Sequence, residues 1–75
     1  MKIREITNNI RDLRYENNNM SQQKLADLVG CSRQTINSLE KNKYSPSFLL
    51  VKKISTVFNV AVEDVIVISL SISEI

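Results

Sequence analysis

Ser21 and Ser32 each open a short amphipathic segment, and the two segments follow one another almost without a break. That spacing constrains the fold more than any other feature. Ser21 precedes Gln22-Gln23-Lys24 and then Leu25, Ala26, Leu28 and Val29, an N-cap followed by a helical apolar stripe. Gly30 fits the left-handed residue that closes a helix, because glycine reaches positive φ without steric cost. Cys31 follows where a small apolar group suits the turn. Ser32 is already the next N-cap, and the helix it opens turns Ile36 and Leu39 inward. Ala26 lies where the two helices cross closely, and a larger side chain there would push the second helix away.

Two short helices joined by a glycine-containing turn of about three residues make a helix-turn-helix arrangement. Around it the helical period dominates. Ile6, Ile10 and Leu13 recur at helical spacing, with Thr7 or Asn8 as the cap and the turn-forming run Asn17-Asn18-Asn19 as the end. Residues 2–6 either extend that helix by a turn or form a short strand, and the strand is preferred. After the polar loop Lys41-Asn42-Lys43-Tyr44, Ser45 and Pro46 supply an N-cap and a proline at the first helical position. The helix beyond carries Leu49, Leu50, Ile54, Val57 and Phe58, and Asn59 ends it. Val62-Glu63-Asp64-Val65-Ile66 reads as one more short helical turn. The period then changes: Ile66, Ile68, Leu70 and Ile72 alternate with Val67, Ser69, Ser71 and Ser73, the pattern of a half-buried strand. A lone strand leaves backbone groups unpaired, so this one must pair with the N-terminal residues, with the same strand of a second copy, or with both.

The chain has 75 residues, enough for one domain. Such a domain buries only about 60% of the surface its unfolded chain exposes, so its stability is marginal without help. One cysteine forms no internal disulfide, and without histidine no zinc site is expected, nor any other metal or cofactor. Oligomerisation is left as the source of added stability. No stretch approaches the roughly 20 apolar residues of a membrane span. The start MKIREITNNIR is too polar for a signal peptide, so the expected location is the cytoplasm of a prokaryotic or phage-infected cell. General acid–base chemistry lacks histidine, and no base is evident to activate Cys31, so no enzyme is expected. Charge is uneven: residues 1–53 hold all ten Lys and Arg against five acids, while residues 54–75 hold three acids and no base. A basic body with an acidic end points to a polyanion on one side.

The outer face of the segment 32–40 sharpens that expectation. With Ile36 inward and Leu39 beside it, Thr35 falls near the buried edge. Gln34, Asn37, Ser38 and Lys41 collect on the opposite side, and Arg33 occupies the exposed first turn. Asn and Gln bond adenine bidentately and Arg bonds guanine, so this ridge has the chemistry to read base edges in a major groove.

The segment Gln22–Leu39, QQKLADLVGCSRQTINSL, resembles the Cro/repressor family and the small bacterial regulators named for the xenobiotic response element. The match covers residues 6 to about 66 through Gln22, Leu25-Ala26, Gly30, Ile36, Leu39 and Glu40. The stretch Ser32–Ser47 is similar to short stand-alone regulators such as the cytolysin repressor. The resemblance implies an all-α, compact five-helix bundle of lambda-repressor type, extended by a short C-terminal strand. It implies that Arg33, Gln34, Asn37 and Ser38 probe bases. Gln22, Ser32, Thr35, Lys41, Asn42, Lys43 and Tyr44 would contact phosphates. Arg14 and Glu40 would form a structural pair between the first and third helices. The run Asn17-Asn18-Asn19 is one residue longer than usual in that family, which bears on where Arg14 lies.

The expected organisation is a single domain, 1–75, with a DNA-binding unit over 6–66 and a strand and dimerisation tail over 67–75. The expected function is a homodimeric transcription regulator, a repressor, reading double-stranded DNA. The alternative is an antitoxin or adaptor that docks a protein partner on the C-terminal strand at Ile66, Ile68, Leu70 and Ile72.

Overall fold

A computed structural model describes residues 2–43 and 45–71. Tyr44, expected on the phosphate-holding loop, and Ile72, expected on the strand, lie outside the described residues. Strand β1 (Lys2–Asn8) leads into helices α1 (Ile10–Glu16), α2 (Gln22–Val29), α3 (Arg33–Glu40), α4 (Phe48–Phe58) and α5 (Val62–Val65), and strand β2 (Ile66–Ser71) follows. The molecule is thus a five-helix bundle with a two-stranded ribbon, and the strand partner of the C-terminal segment is the N-terminal segment of the same chain.

The caps are local. Ser21 accepts from the Lys24 amide at 2.9 Å and Ser32 from the Thr35 amide at 3.1 Å. Gly30 closes α2 at φ 78°, with the Gly30 and Cys31 amides both returning to the Ala26 carbonyl. A Cβ on Gly30 would meet nothing within 4 Å, so the backbone angle alone calls for glycine there. Asn59 ends α4 in the same left-handed region at φ 56°. Every helix contributes to one core. Its fully buried side chains are Ile10 from α1, Leu25 and Ala26 from α2, Ile36 from α3, Ile54 from α4 and Val65 from α5.

Four local expectations are corrected. Ile6, counted on the stripe of the first helix, lies instead in β1 opposite Ile68, in line with the strand preferred for residues 2–6, and α1 begins only at Ile10. The ladder satisfies backbone donors and acceptors that an extra helical turn would have satisfied otherwise. Neither Thr7 nor Asn8 is the N-cap, which falls to Asn9 without a side-chain bond. Asn8 instead accepts from the Ile10 amide and donates to the Leu39 carbonyl at 2.7 Å, while Asn9 ties its own amide and side chain to the Val65 and Asp64 carbonyls. The strand-to-helix junction is therefore fastened to the ends of α3 and α5. At the fourth helix the cap is Ser47, accepting from the Leu50 amide, so Ser45 and Pro46 precede the helix. Both serines have the capping chemistry. From the later start, Val51, Ile54 and Phe58 are the inward stripe, and Leu49 stays 62% exposed. Ile66, read as part of the last helical turn, is the first residue of β2.

The Asn run is absorbed by two left-handed residues, Asn18 (φ 60°) and Asn19 (φ 54°), a conformation asparagine tolerates better than most side chains. The loop doubles back so that the Met20 amide bonds the Arg14 carbonyl at 2.9 Å.

In the ribbon Ile3 stands opposite Leu70 and Ile6 opposite Ile68, with a register irregularity between Ile3 and Glu5. One extra residue on β1 is what lets positions three apart pair with positions two apart on β2. The ribbon meets the helical body chiefly through α5. The molecule accordingly measures 45 × 21 × 20 Å, and its radius of gyration of 13.2 Å exceeds the about 11 Å of a packed domain of this length.

Candidate nucleic-acid interface

Helix α3 is held from beneath by Ile36 and Leu39, both buried, against α2 and the rest of the core. On its outer ridge Arg33 and Gln34 are exposed and Asn37 and Ser38 are exposed in part. A shallow groove of about 330 Å³ runs along one flank, lined by Ser32, Gln34, Thr35, Ser38 and Lys43. Lys43 reaches this flank because the chain turns sharply after α3: Asn42 adopts φ 58° and the Lys43 amide bonds the Ser38 carbonyl at 2.9 Å. Lys41 and Asn42 are exposed at the same corner. The base-reading candidates and the described phosphate candidates of the 41–43 loop therefore share one surface. Gln22 joins them from the start of α2.

The opposite flank holds a cleft of about 350 Å³ lined by Arg11, Arg14, Tyr15, Gln22, Asn37, Glu40 and Lys41. Arg14 and Glu40 form its floor. Arg14 Nε and Nη2 reach the two carboxylate oxygens at 2.6 and 2.9 Å, and Nη1 donates to the Met20 carbonyl at 2.6 Å. The two side chains are only 7% and 6% exposed. The Glu40 hydrogen bond outweighs burial and raises the Arg14 guanidinium further above its ordinary value. The pair is a planar two-pronged contact, the geometry an arginine supplies and a lysine does not. It neutralises the one acid of α3, so the free charge on this surface is positive.

Arg11 and Tyr15 belong to this surface, and sequence reading passed over them. Arg11 Nε donates to the Tyr15 hydroxyl at 3.3 Å, and the guanidinium carbons of Arg11 and Arg14 lie 5.5 and 5.1 Å from the ring centroid. The Arg11 hydrogen bond lowers the phenol's pKa and raises the guanidinium's. Their spacing of four on α1 was legible as a surface pair. Nothing local revealed that α1 brings that pair beside α3.

Gln22 is the junction of the two flanks. Its Nε2 donates to Asn37 Oδ1 at 3.2 Å and to Glu40 Oε1 at 3.1 Å, so both amide hydrogens are engaged. Cys31, partly buried against the core, has its thiol pKa pushed up by desolvation, with Lys53 acting weakly the other way. A thiol in that state is a packing group and a poor nucleophile.

The sequence profile of the helix-turn-helix family matches residues 10–65, the whole helical body. The chain is 51% identical over 49 residues to an uncharacterized HTH-type transcriptional regulator of Archaeoglobus fulgidus, across 65% of this chain and 69% of that protein. It is 47% identical over 49 residues to the HTH-type transcriptional regulator MJ0272 of Methanocaldococcus jannaschii, covering 65% and 74% of the two chains. With YgzD of Bacillus subtilis, another HTH-type transcriptional regulator, it shares 49% identity over 45 residues, 60% of this chain and 68% of that one. By that match and by the α2–turn–α3 geometry, the chain belongs to the helix-turn-helix family of the xenobiotic-response-element type.

Proposed function

We propose that this chain is a sequence-specific DNA-binding transcription regulator, acting as a homodimeric repressor in the cytoplasm of a prokaryotic or phage-infected cell. The observation that carries this reading is the outer face of α3. It is a ridge of Arg33, Gln34, Asn37 and Ser38 over a buried apolar seam, and its one acid is sequestered in an ion pair. In the complex, Arg33, Gln34, Asn37 and Ser38 read base edges in the major groove. Ser32, Thr35, Lys41, Asn42, Lys43 and Tyr44 hold phosphates, joined by the free backbone amides at the start of α2 around Gln22. Residues 6–66 form the DNA-binding unit and residues 67–75 the dimerisation tail. Two copies joined there would set their α3 helices about 34 Å apart, one turn of DNA, on a near-palindromic operator. A repressor needs only to occlude polymerase.

A second reading is favoured by the projecting ribbon, whose β2 pairs on one edge only among the described residues and so offers the other for strand addition: an antitoxin or adaptor that captures a protein partner there. It expects a monomeric or poorly soluble chain in isolation and a stable complex with one protein encoded by a neighbouring gene.

The test is a competition binding assay, at physiological salt with excess unrelated duplex, on the DNA upstream of this chain's own gene. Asn37→Ala is expected to weaken the specific complex by about 1–3 kcal/mol and to relax preference at one base pair. Lys43→Ala is expected to weaken all duplexes alike and to lower the salt slope by about one. Equal weakening of every sequence by Asn37→Ala would remove that residue from base reading.

A further inference from the structure

The polarity of the Asn37 side chain is set from inside the protein, by a relay that begins at the buried ion pair. A carboxylate accepts hydrogen bonds and donates none. Glu40, held by Arg14 on both oxygens, therefore requires that the Gln22 atom lying 3.1 Å from Oε1 be the amide nitrogen. That nitrogen's second hydrogen points at Asn37, 3.2 Å away, so the Asn37 atom it meets must be the acceptor Oδ1. With Oδ1 turned inward, Nδ2 is turned outward, and among the described residues it has no partner. Rotating the Asn37 amide by half a turn would set NH2 against NH2, lose a hydrogen bond and leave a donor unsatisfied.

We propose that Gln22 is a specificity-positioning residue that commits Asn37 to presenting donors, and that the base pair read by Asn37 carries guanine. The proposal rests on reading α3 as the groove-facing helix. A freely rotating asparagine satisfies adenine with one donor and one acceptor, the pairing the residue type alone suggests. An asparagine whose oxygen is already engaged favours an edge that only accepts. Guanine presents two adjacent acceptors, N7 and O6, within reach of the two hydrogens of Nδ2. Adenine offers N7 beside a donating amino group, thymine offers the single acceptor O4 beside its methyl, and cytosine offers a donor alone. Three residues that never touch the base, Arg14, Glu40 and Gln22, thus decide which base is taken.

The experiment is selection of binding sites from a randomised duplex library by the full chain, by Asn37→Ala, by Gln22→Ala and by Gln22→Met. Gln22→Met keeps the side-chain length without the amide. The position whose preference vanishes in Asn37→Ala is the one Asn37 reads. Guanine is expected there for the parent protein. Both Gln22 variants are expected to cut its guanine-over-adenine ratio by about fivefold, the worth of one hydrogen bond, and to leave preferences elsewhere unchanged. A merely structural Gln22 would lower binding to all sequences without moving that ratio. An A·T pair at the Asn37 position, or an unchanged ratio in both Gln22 variants, overturns the relay while leaving α3 as the reader. Loss of preference at no position in Asn37→Ala overturns both.

Discussion

Arg14→Ala is expected to cost about 3–5 kcal/mol of folding stability, the range for removing one partner of a buried pair. The cost arises because Glu40 would remain, 6% exposed and without its cation, and the Met20 carbonyl would lose its guanidinium donor. A domain of 75 residues commands a total of only about 4–11 kcal/mol. The single variant should therefore be largely unfolded at modest urea, measured at fixed protein concentration because dimerisation adds to apparent stability. Replacing both partners, Arg14→Met with Glu40→Leu, is expected to recover most of the loss, since no lone charge is then buried. A loss below about 1 kcal/mol in the single variant would mean that the pair behaves as an exposed one. The recovered double variant would also lack the anchor of the Gln22–Asn37 contact, so it should fold while discriminating bases poorly.

Leu70→Asp is the second large expected effect, and it concerns assembly. Leu70 stands opposite Ile3 in a ribbon that meets the helical body chiefly through α5. On the homodimer reading, a charge at that position is placed in a buried contact without a partner, and the copies separate. A monomer binds each half-site independently, without the effective concentration that tethering supplies. Operator affinity should then fall by about 10²–10⁴-fold. Light scattering should report half the parent mass, while far-ultraviolet circular dichroism keeps its helical signal because the helical core lies outside the ribbon. An unchanged mass would refute the tail's part in dimerisation. A parent protein that is already monomeric would favour the adaptor reading.

Much of the candidate site could be read directly because its signals are local. An N-cap needs only a hydroxyl three residues before an amide, as at Ser21 and Ser32. A helix stop needs only a residue at ease with positive φ, as at Gly30 and Asn59. Period then sorts α3 into Ile36 and Leu39 beneath and Arg33, Gln34 and Asn37 above. Where competing local signals were nearly equal, the sequence alone did not separate them. Ser45 and Ser47 have the same capping chemistry, and Ile6 fits a helical stripe as well as a strand.

The amino-acid sequence by itself determined the two capped helices, the glycine turn between them, the polar ridge of α3 and the strand character of the C-terminal segment. Each of these depends on interactions within a few residues. Only the tertiary structure decided that β2 pairs with β1, so that Ile6 leaves the helix. Only it placed Arg11 and Tyr15 beside α3 and linked Gln22 to both Asn37 and Glu40. Those outcomes are contacts between residues 15 to more than 60 positions apart, as in Gln22 with Asn37 and Ile6 with Ile68. Their free energy comes from ladder bonds, burial and charge neutralisation that exist only once the chain has closed on itself.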